Sequence, residues 1–142
     1  MDVDGKATWV VVVHLHPGEV EMRAREAALL DARVAELMGV ADRVVVLGDV
    51  NCDLDEAVHR AFPARDYVNA LERAGGGVQL TMDTVGISPW RIDHIYASPA
   101  LAPGLRRAAV ERRAGFRHDG PQVKGLWVHS DHLPVVAEFA GD

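Results

Sequence analysis

Trp9-Val10-Val11-Val12-Val13-His14-Leu15-His16 and Arg43-Val44-Val45-Val46-Leu47-Gly48-Asp49-Val50-Asn51 are two apolar runs of one kind, each ending in groups able to do chemistry. Continuous β-branched residues without polar alternation predict strands buried on both faces. Pro17-Gly18 stops the first run. Glu19 to Met38 is rich in Ala, Leu, Glu and Arg. It sets Ala27, Leu30, Val34 and Leu37 at helical spacing, with Gly39 where a C-terminal cap belongs. Strand, helix and strand in this order predict neighbouring strands in one sheet with the helix laid over it.

Further along, Asp53 to Arg60 reads as a short helix capped by Asp53. Asp66 to Ala74 reads as another, stopped by Gly75-Gly76-Gly77. Val78 to Ser88 is expected as loop with a short strand, and Trp90 to Ala97 as a strand. Leu105 to Arg113 is expected as a strand with outward arginines, and Gly115 to Gly125 as surface loop. Trp127-Val128 leads to a last strand, Leu133 to Phe139. There is no internal repeat or low-complexity segment.

The 142 residues, 49% of them apolar, suit one domain with a buried core, residues 1–142. A formal charge of −6 and a pI near 5.6 argue against holding nucleic acid by bulk charge. The single cysteine, Cys52, excludes an internal disulfide. No apolar stretch is long enough to span a bilayer and no signal peptide is recognisable, so the expected location is the cytoplasm, with no stable membrane insertion.

Asp49 and Asn51 stand two apart on an extended segment, so both can face one way. A carboxylate beside an amide can surround a hydrated divalent ion and a phosphate, but the same letters also fit a Gly-Asp/Asn turn. In Ser130-Asp131-His132-Leu133-Pro134-Val135, Asp131 can ligate a hard cation and His132 can act as a base once a carboxylate orients it. Asp93, in Arg91-Ile92-Asp93-His94, is the candidate orienter. A surface Ser-Asp N-cap or turn before a strand fits Ser130-Asp131 as well as a catalytic pair does. His14 ends a strand, where a lone histidine is more often a satisfied core or edge residue than a catalytic one. His16 reads as a loop residue, and His59, His118 and His129 as surface residues. His94 alternates with Asp93 and is expected on the opposite face. Arg106, Arg107, Arg112, Arg113 and Arg117 could touch phosphates, or simply form a solvated strand face.

Val13-His14-Leu15, Gly48-Asp49-Val50-Asn51, Arg91-Ile92-Asp93-His94 and Ser130-Asp131-His132-Leu133-Pro134-Val135, in this order, resemble the signature of the endonuclease/exonuclease/phosphatase superfamily, the DNase I-like metal-dependent phosphoesterases. The resemblance spans about residues 9 to 139. It implies an α/β (α+β) sandwich of two packed mixed β-sheets flanked by helices. It also implies hydrolysis of a phosphodiester or phosphomonoester with Mg²⁺ (or Mn²⁺), the substrate being a nucleic acid, a phospholipid head group or a nucleotide. By that resemblance His14 contacts the scissile phosphate, Asp49 positions the attacking water, and Asn51 holds water and phosphate. Asp93 orients His132, which is the base or a phosphate-binding group. Asp131, Asp49 and Asn51 form the metal set. The family's first half carries an Asn and a Gln-Glu motif whose glutamate is a principal metal ligand, and nothing before Trp9 matches either. The chain is therefore expected to represent the C-terminal part of such a domain. A homodimer or a complementing N-terminal half would then cover its open sheet. The alternative is a non-catalytic remnant or interaction module of the same fold.

Overall fold

The structure is a computed structural model and describes residues 2–3, 5–83, 89–112 and 130–140. The expected loop over 115–125, the Trp127-Val128 lead-in, and Arg113, Arg117, His118 and His129 lie outside the described residues.

A hairpin of β1 (Asp2–Val3) and β2 (Lys6–Ala7) precedes β3 (Trp9–His14), α1 (Val20–Met38) and β4 (Val44–Asp49). β3 and β4 run parallel, as the crossover through α1 requires, with Trp9 opposite Val44 and His14 opposite Asp49. Then come α2 (Ala57–Ala61), a 3₁₀ turn at Pro63–Arg65, β5 (Val68–Asn69) and α3 (Ala70–Ala74). A hairpin of β6 (Met82–Asp83) and β7 (Pro89–Trp90) follows, then β8 (Asp93–Ala97), a second 3₁₀ turn, β9 (Leu105–Val110) and β10 (Val135–Phe139). One sheet has the order β3-β4-β8-β5, and β8 is antiparallel to both of its neighbours. β9 and β10 form a separate antiparallel pair.

Side-chain alternation across these registers builds two cores. Val44, Val46 and Tyr96 face one way and pack with Ala27, Val34 and Leu37 of α1. Val45, Leu47, Ile95 and Ala97 face the other way and pack with Leu105, Ala108 and Val110 of β9 and with Leu71 of α3. The result is a helix layer, a mixed sheet and a second sheet, which is the expected α/β sandwich. Ala-, Leu- and Glu-rich composition favours α1 intrinsically, and its Ala27, Val34 and Leu37 are buried as the spacing predicts. No side chain caps α1 from Glu19; instead His16 Nδ1 accepts the Gly18 and Glu19 N–H groups, each at 3.1 Å.

Several expectations are corrected. The valine run of β3 is not buried on both faces. β3 is an edge strand; Val11 and Val13 pack on the α1 side, whereas Val10 and Val12 are 42% and 72% exposed. They share a face with Val45 and Leu47, yet they do not join the core beneath β9 and β10. Asp53 caps no helix: its carboxylate accepts the Leu54 N–H in a turn, and α2 begins only after Glu56. The expected helix over Asp66–Ala74 is split. Asp66 adopts a left-handed conformation, φ 60°, Val68–Asn69 pairs with β8, and the remaining helix is capped by Asn69, whose Oδ1 accepts from Leu71 and Glu72. Local propensity here yields to pairing with β8. The expected strand over Trp90–Ala97 is broken at Arg91-Ile92, and β8 starts at Asp93.

Candidate active site

Three of the expected site residues fall on one register row. His14, the last residue of β3, lies opposite Asp49, the last of β4, and Asp49 lies opposite Asp93, the first of β8. Cross-strand partners project to the same side, so all three side chains emerge on the face covered by the β9–β10 layer. His132 reaches them from that second layer, just before β10. Its Nδ1 lies 3.1 and 3.0 Å from Asp93 Oδ1 and Oδ2, and its Nε2 lies 4.0 Å from Asp49 Oδ2. His14 Nε2 lies 3.6 Å from Asp49 Oδ2, with its ring largely in solvent. The structure thus brings together His14, Asp49, Asn51, Asp93 and His132.

Backbone geometry makes the row possible. Gly48 has φ 135°, and a Cβ there would lie 2.0 Å from the Val13 carbonyl oxygen, so only glycine lets β4 run this close to β3. Asn51 is left-handed, φ 52°, a conformation that Asn tolerates. Its N–H donates to Asp49 Oδ1 at 2.8 Å. Its side-chain amide donates to Leu15 O at 2.8 Å and to Asp49 Oδ2 at 3.1 Å. Both amide protons are therefore spent on fixing Asp49 and the β3 end. Ser130 Oγ accepts the His132 N–H at 3.0 Å. Buried Thr81 accepts the Ile92 and Asp93 N–H groups on its hydroxyl.

Electrostatics separate the roles. The hydrogen bond to Asp93 raises the His132 pKa above the usual histidine value. Burial opposes this, and the charges of Asp93, Asp49 and Asp131 add to it. Asp49 is pushed up chiefly by desolvation and further by the neighbouring Asp93 charge, against hydrogen bonding from Asn51 and the attraction of His132 and His14. A half-buried carboxylate beside a second one has an unmet need for positive charge. The atoms of Asp49, Asp93 and His132 that could hold a metal all lie within 4.8 Å of one another. Two carboxylates and an imidazole are a donor set that fits a divalent cation. Among the described residues, Asp131 is not in this group, and its charge is one of those that raise the His132 pKa.

Behind the row lies a network that residue-by-residue reading missed. His59, expected on the surface, is buried. Its Nδ1 accepts from the Tyr96 hydroxyl at 2.6 Å, and its Nε2 faces Cys52 O at 3.4 Å. His94, on the opposite face from Asp93 as expected, accepts from Asn69 at 3.0 Å and donates to Arg91 O at 2.7 Å. These partners fix both rings as neutral tautomers. Burial lowers the pKa of each, that of His94 to about 4. A lone histidine in an Ala- and Arg-containing stretch carries no sequence signal for this. Among the arginines, Arg107 pairs with Glu138 at 2.7 Å, consistent with a solvated strand face.

A model of the Endonuclease/Exonuclease/phosphatase family matches residues 2–111. The chain belongs to this family. A search of curated proteins finds no match. Among solved structures, the fold is similar to a mannosyl-6-phosphatase from Bacteroides thetaiotaomicron: TM-score 0.76, 22% identity, 96% of this chain and 52% of the other. It is also similar to a Neisseria 3' phosphatase bound to product DNA hairpin: TM-score 0.71, 24% identity, 93% of this chain and 61% of the other. An AP endonuclease from Archaeoglobus fulgidus aligns with TM-score 0.62 and 21% identity, over 92% of this chain and 60% of the other. At these identities the likeness is one of fold. The chain spans between half and about three-fifths of the length of these proteins. Among the described residues, no helix is long and apolar enough to cross a membrane.

Proposed function

We propose that this chain carries the catalytic end of a divalent-metal-dependent phosphoester hydrolase. The observation that carries the reading is the single register row His14–Asp49–Asp93, closed by His132 from the opposite layer. Asp93 holds the His132 ring by its Nδ1–H, which leaves Nε2 to take a proton from an attacking water. Asp49, fixed by Asn51, holds that water on the sheet side. His14, exposed at the rim, donates to a phosphate oxygen. Asp49 and Asp93 would hold the cation through their carboxylate oxygens, with His132 Nε2 left free as the base, in place of the Asp131-Asp49-Asn51 set implied by the motifs, and Mg²⁺ or Mn²⁺ would neutralise phosphate charge there. The net reaction adds water across the P–O bond and releases an alcohol and a phosphate monoester or orthophosphate.

One observation favours a second reading. Val10 and Val12 leave an apolar strip open beside His14, on the face where a sandwich needs cover. A chain that works only with a complementing segment or a second copy would have this surface. The two readings separate in one assay of Mg²⁺- or Mn²⁺-dependent hydrolysis of phosphodiesters and phosphomonoesters. Turnover abolished by chelator and by both Asp49→Ala and His132→Ala supports the first. Turnover that survives both substitutions overturns it.

A further inference from the structure

Thr81 bonds to the backbone of Asp93 and to that of Leu133, the residue after His132, without belonging to the Asp93–His132 pair. It is fully buried, just before β6. Its hydroxyl oxygen accepts the Ile92 N–H at 3.1 Å and the Asp93 N–H at 3.0 Å, at the break where the chain enters β8. Its own N–H donates to Trp90 O at 2.9 Å, and its carbonyl accepts the Leu133 N–H at 2.6 Å. The next residue, Met82, forms a β-bridge with His132 itself. One residue therefore fixes the backbone of the carboxylate on one side and the backbone of the imidazole on the other.

We infer that Thr81 is a positioning residue for the Asp93–His132 pair. This rests on the reading of that pair as the oriented base. The strand break at Arg91-Ile92 leaves two successive N–H groups outside the regular β4–β8 ladder, and buried N–H groups need acceptors. A hydroxyl oxygen with two lone pairs serves both at once. Valine has the same shape without the acceptor, whereas serine keeps it. The hydroxyl, rather than the volume, is what aims Asp93 at His132 Nδ1.

The test uses the whole chain and a signal independent of turnover, the downfield proton resonance of His132 Nδ1–H hydrogen-bonded to Asp93, assigned by its loss in Asp93→Asn. Thr81→Val should abolish or broaden that resonance and speed amide exchange at Ile92 and Asp93 by roughly tenfold or more, leaving Val44 and Val46 unchanged. Thr81→Ser should preserve both. With bis(p-nitrophenyl) phosphate and Mg²⁺, Thr81→Val should lower kcat by roughly tenfold or more with KM little changed, and Thr81→Ser should restore it. A folded Thr81→Val protein that keeps the resonance, or a folded Thr81→Ser protein that loses it, overturns the inference. If Thr81→Val does not fold, the wild-type chain decides: Ile92 and Asp93 amides that exchange as freely as exposed loop amides overturn it, and protected ones support it. A Thr81-dependent resonance in a chain without hydrolysis would retain the positioning role and remove the phosphoesterase reading.

Discussion

At the scale of single residues, His132 is the group whose protonation the site controls most directly. Its pKa is raised first by the hydrogen bond to Asp93. A raised histidine pKa adds stability that is complete below the unfolded value and is lost as pH rises through the folded value. Asp93→Asn should therefore lower the His132 pKa, read by NMR titration, and move the acid limb of any pH–rate profile to lower pH. If His132 acts as the base, activity rises as it deprotonates; a rate that falls through the same range would instead assign the imidazolium to phosphate binding. Mg²⁺ beside Asp49 and Asp93 should also lower the His132 pKa, because a cation competes with the proton for the same negative field. An unchanged titration curve at saturating Mg²⁺ would contradict the metal assignment. These residues were legible in the sequence because each motif pairs a chemically restricted letter with a strand end. Thr81 was not, because a threonine between Leu80 and Met82 reads the same whether it holds two amides or none.

At the scale of elements, the close approach of β4 to β3 hangs on Gly48. Gly48→Ala must clear the Val13 carbonyl and adopt a positive φ, so destabilisation of at least about 2 kcal/mol is expected in urea unfolding. The neutral His59–His94 pair behind β8, rings 4.6 Å apart, sets a different dependence. A histidine with a depressed pKa adds stability that is complete above its unfolded value, near 6.5, and is lost as pH falls toward its folded value, about 4 for His94. The loss across that window is on the order of 3 kcal/mol, and it runs opposite to the His132 contribution. His94→Gln should be less stable at neutral pH but should show a flatter pH dependence between those limits. A slope identical to the wild type would show that His94 titrates normally. Element boundaries were less readable than the site. From Asp53 to Ala74, Ala, Arg and Asp fit helix almost anywhere, and only the pairing of Val68–Asn69 with β8 decides where helix stops.

At the scale of the whole molecule, two cores back to back explain why the pairing of β3 with β4 under α1 could be anticipated and the exposure of β3 could not. Valine has the same strand preference under a second layer or in water, so the run Val10–Val13 says strand and nothing of cover. Val12→Lys should leave the fold within about 0.5 kcal/mol of wild type in urea unfolding, since the side chain is 72% exposed. Substantial unfolding by Val12→Lys would mean that this face is covered after all. The row His14–Asp49–Asp93 has a last consequence. Strand side chains alternate, so a one-step shift of β4 against its neighbours would carry Asp49 through the sheet to the helix side. Such a molecule would keep its helix and strand content and pass for native by circular dichroism, while the acid sat on the wrong side of a wall. The site is thus an alignment gauge, and its chemistry counts only the molecules threaded in the correct register.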